Sequence, residues 1–325
     1  MSFNFNFNIN ETKKAVRLNN EEVIDFLVIG GGPAGLNAAL YAKRKGLTTG
    51  IITKRIGGQL LNTSTVDNYL GITQVSGEQL SEKYLSHLNE LEVGIAQEVE
   101  VEKIFKKDKL FNIILTDKTV YQSKTLLLAT GSAPRKLQVK GESEYSNRGV
   151  AYCAICDAPL FKGKDVIIAG GGNSAVEAAI DVAKFAKSVT LVHRSQLRAD
   201  QISVDHMMNQ SNIKVYLETQ IIEIVGNDKM TGVKVLDKEN MQERVIDADG
   251  IFIEIGNLPS NALVKDLVTL NDKGEVIVDE KNMTSLPGLY AAGDVTQMPY
   301  KQIVIAVADG AKAALAANEY INQNF

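Results

Sequence analysis

Twice along this 325-residue chain a short apolar run meets a glycine-rich turn and then an amphipathic stretch, and this repeated order constrains the fold more than any other feature. At the first site VIDFLVIG leads into GGGPAG, then LNAALYAKRKG, then GIITK. A short apolar run ended by glycine reads as a buried strand, and the stretch after it reads as a helix closed by Gly46. GIITK returns as a second strand, which makes a βαβ unit. DVIIAG, GGNSA, VEAAIDVAKFAKS and VTLVH repeat the order from about Asp165. Two such units imply two bound nucleotides and an α/β fold of two Rossmann-like three-layer nucleotide-binding domains. TLLLATGSAP and GIFIEIGNLP each run a buried strand into Gly and Pro, and they mark domain crossings near Pro134 and Gly256. The expected organisation is a polar tail at residues 1–22, a discontinuous first domain at 23–134 and 256–325, and a second domain inserted at 135–255. FNFNFN in the tail is read as terminal chain without a function.

Each glycine of the fingerprints has a distinct physical task. Gly30 permits a tight turn, Gly32 lets the backbone approach a pyrophosphate, and Gly35 lets the helix pack on its strand. The helix N-terminus then holds phosphate through its free N–H groups and dipole. An acidic residue about 20 positions on usually binds a ribose hydroxyl, yet none occurs from Asn37 to Val66. Lys54, backbone amides or a non-standard site are the alternatives. In the second fingerprint Gly170, Gly172 and Ala175 take the three places, with Asn173 and Ser174 opening the helix. His193 and Arg194 end the next strand, with Arg198 close by, where a carboxylate would favour NAD. Positive charge there suits a 2′-phosphate and so favours NADPH.

A net charge of −4 and the lack of any Lys/Arg block argue against a nucleic-acid partner. Hydrophobic residues at 45% and charged residues at 23% are those of a globular chain. No apolar run is long enough for a membrane span, and no signal peptide opens the chain, so a cytoplasmic protein without membrane contact is expected. In a reducing compartment two cysteines three positions apart point to redox chemistry or to a metal. Zinc in a structural site needs about four ligands, and only His87, His193 and His206 accompany the pair, so no metal is expected. In Cys153-Ala154-Ile155-Cys156 one thiolate attacks a partner disulfide and the other resolves the mixed disulfide. Asp157, directly adjacent, can serve as proton donor and acceptor. A non-enzymatic redox sensor is the rival from another class, and it has no need of two dinucleotide units. Late in the chain Gly293-Asp294 follows a short strand in TSLPGLYAAGDV, where a carboxylate can accept from a polyol or cap a helix.

Taken in order, GGGPAGL, GGQLLNTSTVDNYLG, LLLATGSAP, YCAICD, GGGNSAVEAA and PGLYAAGDV resemble the low-molecular-weight thioredoxin reductases and the flavoprotein part of the alkyl hydroperoxide reductase subunit. The resemblance covers about residues 23–320. It implies that both ends of the chain form an FAD domain and that the insertion binds NAD(P)H and carries the disulfide. Gly30, Gly32 and Gly35 would hold the FAD pyrophosphate, with Gly58, Gln59, Asn68, Thr130 and Gly131 near the cofactor. Asp294, after Gly293, would bind the ribitol, and Gln302 would lie close to the ring system. Cys156 would face the flavin, Cys153 would attack the protein substrate, and Asp157 would act as acid and base. The family's usual state is a homodimer.

HRSQLRAD is one residue shorter than the family's His-Arg-Arg stretch, which leaves Arg194 matched. Asp157-Ala158-Pro159 stands where Asp-Gly is common. Some members take electrons from ferredoxin, and the intact second fingerprint argues against that donor. With no thioredoxin-like part before the flavoprotein, a separate small dithiol protein is expected to accept the electrons, thioredoxin first. MPYKQIVIA and KGLTTGIITKRIGGQLL are closer to the peroxide-reductase flavoprotein, so a glutaredoxin-like carrier feeding a peroxiredoxin, with NADH as donor, is the competing expectation. Because the nicotinamide and the cysteines share one domain and serve one flavin, the crossings near Pro134 and Gly256 are expected hinges.

Overall fold

The structure, a computed structural model, describes residues 16–63 and 65–325. FNFNFN lies outside them. In chain order the first stretch gives β1 (Val16–Arg17), β2 (Val23–Ile29), α1 (Pro33–Arg44), β3 (Thr49–Thr53), α2 (Gly77–Glu90), β4 (Gly94–Gln97), β5 (Val101–Lys107), β6 (Leu110–Leu115) and β7 (Val120–Leu128). The chain then crosses through β8 (Ser132–Pro134) into β9 (Val150–Ala151), α3 (Ala154–Asp157), β10 (Asp165–Ala169), α4 (Asn173–Ala183), β11 (Ser188–Val192), α5 (Gln201–Met208) and β12 (Ile213–Tyr216). β13 (Thr219–Gly226), β14 (Met230–Asp237), β15 (Glu243–Asp247) and β16 (Gly250–Ile253) follow, and β17 (Asn257–Pro259) crosses back to β18 (Leu289–Ala291) and α6 (Ile303–Asn324). Two compact units result: residues 1–133 with 259–325, and residues 134–258.

In the first unit the strands run in the order β1-β4-β3-β2-β7-β6-β5, with β18 also on β7. The strands from β1 to β7, and β18, pair in parallel, and β6 and β5 extend the sheet antiparallel. From Phe26 to Ile29 β2 is buried and apolar at every position, while Asp25 before it is half-buried and pairs with Lys124. Phe26 and Val28 pack under α1 and α6, while Leu27 and Ile29 pack on the opposite face with Phe111, Ile113 and Val276. A strand buried on both faces must be apolar at every position. Removing one such side chain, as in Phe26→Ala, costs about 3–5 kcal/mol. The alanines of α1 and α6 let the two helices touch. A Cβ on Gly310 would lie 2.1 Å from the Ala34 carbonyl oxygen.

The tail expectation meets a difference at its end. Val16 and Arg17 pair in parallel with Gly94 and Ile95, and Leu18 is buried with its Cδ1 2.3 Å from where a Cβ on Gly50 would stand. Two glycines, Gly50 and Gly94, open the space that Leu18 fills, a long-range packing feature that local polarity does not reveal.

In the second unit β12-β11-β10-β16-β9 form an all-parallel sheet. One face packs on α4 through Val166, Ile168, Leu191 and Phe252. The other is covered not by helices but by the antiparallel sheet β13-β14-β15, through Ile221, Ile224, Val233 and Val235. Among the described residues no helix is long and apolar enough to cross a membrane.

Candidate functional site

In the first unit β2 ends at Gly30, whose φ of +119° is open to glycine, and a Cβ there would lie 2.2 Å from the Ala129 carbonyl oxygen. A Cβ on Gly35 would lie 2.1 Å from the Gly30 oxygen, so that glycine lets α1 pack on the turn. Gly32 has nothing within 4 Å of its Cβ position. It is the N-cap of α1, with no side-chain cap, Pro33 just inside and no acidic residue in the first turn. α2 is a useful contrast, because Ser76 and Gln79 form a reciprocal capping box and Glu78 stands in its first turn. α1 therefore keeps free N–H groups facing open space, which an anion fits.

Other candidate residues gather at the same sheet end. Gly58 approaches Gly32 Cα, and Gly57 N–H donates to Gly31 O at 2.8 Å. β18 pairs with β7 and delivers Gly293, at φ +74°, against Ala34 of the first turn of α1. The Asp294 carboxyl follows. Burial raises its pKa, Lys301 opposes that and Asp309 adds to it. No hydrogen bond or ion pair holds it among the described residues. A half-buried carboxyl without a donor is suited to accepting hydroxyl groups, so the loop and Asp294 together fit the pyrophosphate and polyol of FAD. Asn68 Nδ2 donates to Gln302 Oε1 at 3.1 Å, joining two candidates far apart in sequence, and Gln302 is the N-cap of α6. Gln59 Nε2 is spent on Ser132 O, and Thr130 Oγ1 donates to Ser260 O beside Gly131. Asp309 was not singled out by the sequence. It is buried, pairs with Lys312 at 3.2 Å and leaves Oδ2 without a hydrogen-bond partner among the described residues.

In the second unit Gly170 takes φ +150°, and a Cβ there would lie 2.7 Å from Ala175 Cβ, which explains why only a small third residue fits. Gly172 has nothing within 4 Å and is the uncapped N-cap of α4, again with no acidic residue in the first turn. Asn173 clasps Asp200 by side chain and backbone, both at 2.8 Å, while Ser174 is exposed. His193 is buried with its ring against Gly171, its Nε2 3.1 Å from Ser195 Oγ. Burial, then Arg198 and Arg194, push its pKa down, so it is a neutral packing residue under the loop. Arg194 and Arg198 are exposed, and the Arg198 backbone N–H donates to Gly171 O at 2.7 Å, which fixes its main chain next to the turn.

Cys153 and Cys156 are joined in a disulfide, with Cα atoms 5.3 Å apart. Cys153 is the N-cap of α3 and half-buried; Cys156 is exposed. Ala158, where glycine is common, adopts φ −50° and starts a 3₁₀ turn with Pro159, so no left-handed residue is needed. That turn is anchored by Phe161, which fills the space a Cβ on Gly250 would need and meets Phe252 edge-on at 5.1 Å. Burial lifts the half-buried Asp157 to a pKa of about 6, suited to proton exchange near neutrality. Glu254 was not singled out by the sequence either. Local spacing gives no sign of it, because it reaches Ala154 N–H across 100 residues of chain.

A family profile described as pyridine nucleotide-disulphide oxidoreductase matches residues 24–310. An alkyl hydroperoxide reductase subunit of Staphylococcus aureus strain Mu50 is 41% identical over 317 residues, 97% of this chain and 62% of its own length. The Pseudomonas putida protein of the same name is 43% identical over 95% of this chain and 60% of its own length. The chain thus spans about three-fifths of these curated relatives. The crystal structure of thioredoxin reductase from Streptococcus pyogenes MGAS5005 superposes with a TM-score of 0.88 at 38% identity, covering 94% of this chain and all of that one.

Proposed function

The chain belongs to the pyridine nucleotide-disulphide oxidoreductase family, and from that premise we propose that it passes electrons from NADPH through FAD and the Cys153–Cys156 disulfide to thioredoxin. The observation that carries this reading is the pairing, in one chain, of two uncapped glycine-loop helices with a disulfide placed beside the second of them. FAD held there would supply two-electron transfer between the nicotinamide and the disulfide. The residues of the chain do the rest. Gly30, Gly32, Gly35, Gly58 and Asp294 hold the flavin nucleotide, with Asn68, Gln59, Thr130, Gly131, Gly293 and Gln302 shaping its surroundings. Gly170, Gly172 and Ala175 seat the nicotinamide nucleotide, and Arg194 and Arg198 face its 2′-phosphate. Two electrons and two protons convert the disulfide to a dithiol. The Cys153 thiolate then attacks the partner disulfide, Cys156 resolves the mixed disulfide, and Asp157 gives and takes the proton.

A second reading is a carrier of glutaredoxin type feeding a peroxiredoxin with NADH as donor; the curated relatives' name, alkyl hydroperoxide reductase subunit, fits the peroxide-reducing part of it. Turnover of the FAD-loaded chain with NADPH, NADH and reduced ferredoxin, each against thioredoxin and against such a carrier, separates the readings. NADPH with thioredoxin should give the highest kcat/KM. One charge-assisted contact contributes about 1.5–3 kcal/mol, or roughly tenfold to a hundredfold. Arg194→Ala should therefore lower the NADPH to NADH ratio by about tenfold. Preference for NADH and the carrier would replace the first reading with the second. The cysteine roles are read separately: Cys156→Ser should trap thioredoxin on Cys153, and trapping by Cys153→Ser instead would exchange them.

A further inference from the structure

Glu254 directly follows β16, at the sheet end where Gly170 closes β10. Its main chain is fixed on the glycine turn. Glu254 N–H donates to Ala169 O at 2.8 Å, and a Cβ on Gly170 would lie 2.3 Å from the Glu254 carbonyl oxygen. Its side chain meets the redox helix, where Oε1 accepts from Ala154 N–H at 3.3 Å. The Ala154 nitrogen is joined through the Cys153 carbonyl carbon to Cys153 Cα, so the carboxyl stands beside the backbone of the N-terminal cysteine.

The charged and titratable groups around Glu254 are few. α3 brings Cys156 and Asp157 besides Cys153. The crossing brings Arg135, whose Cδ is 3.8 Å from a Cβ position on Gly256, two residues after Glu254. The glycine turn from Gly170 to Asn173 brings nothing ionisable, and beneath it lies the neutral His193. None of them forms an ion pair with Glu254 among the described residues. Burial raises its pKa to about 7, and the Ala154 N–H opposes that rise. An unpaired buried carboxyl is costly unless it is neutral or hydrogen-bonded.

We propose that Glu254 is a positioning residue for Cys153, holding the first turn of the redox helix at the strand end beside the second glycine fingerprint and opposing ionisation of the Cys153 thiol by its own charge. When Glu254 is ionised the thiolate is disfavoured, and when it is neutral the thiolate forms more readily. Thiol and carboxyl then titrate as a coupled pair. The inference rests on the reading of Cys153 as the attacking thiol, but its test needs no nucleotide and no partner.

In the full chain carrying Cys156→Ser, Cys153 is the sole cysteine. Its rate of alkylation by iodoacetamide, followed by intact mass from about pH 5 to pH 9, reports the thiolate fraction. Glu254→Gln keeps an acceptor for Ala154 N–H and removes the charge. It should lower the thiol midpoint by roughly one unit, which is roughly tenfold more thiolate below the midpoint. Glu254→Ala should move it in the same direction. An unchanged midpoint in Glu254→Gln would overturn the proposal and leave only a hydrogen bond. With Glu254 in place the profile should be broader than that of a single titrating group, and a single-group curve would overturn the proposal even if neither variant folds. Should trapping assign the attack to Cys156, the functional reading fails by that result while the alkylation profile still decides the role of Glu254.

Discussion

At the scale of single residues, Asp157 shows how the proposed proton-exchange role would oppose stability. Its carboxyl titrates at about 6 in the folded chain, against an ordinary 3.8, because burial disfavours the charge. Between those values the folded chain holds a proton that the unfolded chain has lost. The contribution of this group is therefore complete below about pH 4 and is lost as pH rises through about 6. Asp157→Asn cannot lose it. The variant should match the parent in urea midpoint near pH 4 and exceed it near pH 8 by on the order of 1–3 kcal/mol. Its turnover with a disulfide substrate should fall by about 10²- to 10⁴-fold. An equal stability difference at both pH values would show that the ionisation of Asp157 is not what burial opposes. Asp157 was legible because it adjoins the cysteines. Glu254 was not, since its contact with Ala154 is set by the way β16 returns beside β10 in a parallel sheet.

At the scale of elements, the glycine loops were legible and their differences were not. Sequence spacing gives Gly32 and Gly35 related duties at one turn, yet their surroundings are opposite. A Cβ on Gly32 meets nothing within 4 Å, whereas one on Gly35 lies 2.1 Å from a backbone oxygen. Gly32→Ala should leave the apoprotein's melting temperature within the spread of surface substitutions, about 0.5 kcal/mol, and weaken FAD binding by titration of apoprotein. Gly35→Ala should destabilise the unit itself by more than about 1–3 kcal/mol, the range for overpacking that side chains can relieve. If both variants lose stability equally, the open space at Gly32 is not there. The antiparallel layer β13-β14-β15 and the strand at Val16–Arg17 escaped the sequence for a different reason. β1 is short and exposed, and only the long-range pairing with Gly94 and Ile95 makes it a strand. The buried Asp309 escaped because an isolated acidic residue among the alanines of this helix gives no sign of which face carries it.

At the scale of the whole molecule, the proposed chemistry places the nicotinamide and the Cys153–Cys156 pair in one unit and the flavin they share in the other. On that reading both would need access to one ring system, so turnover would require a change of orientation between the units. The chain returns through β17 directly after Gly256, which takes φ +98° and accepts from Arg135 N–H at 2.9 Å. These short crossings are the segments that can absorb such a change, as hinges do at the ends of elements. A large-scale movement works against solvent friction, while reduction of the flavin by a nucleotide already seated beside it does not. With saturating NADPH and thioredoxin, kcat should fall nearly in proportion to added microviscosogen such as sucrose, and a macroviscosogen should have little effect. Single-turnover reduction of the flavin by NADPH in the Cys153→Ser, Cys156→Ser double variant should be much less sensitive once the nucleotide is bound. Gly256→Ala, which imposes a side chain on a left-handed backbone at a strain of about 1–2 kcal/mol, should lower kcat with thioredoxin and leave that single-turnover rate within about twofold. If kcat ignores viscosity and Gly256→Ala slows both reactions alike, chemistry and not reorientation limits turnover, and the crossings act as fixed connections.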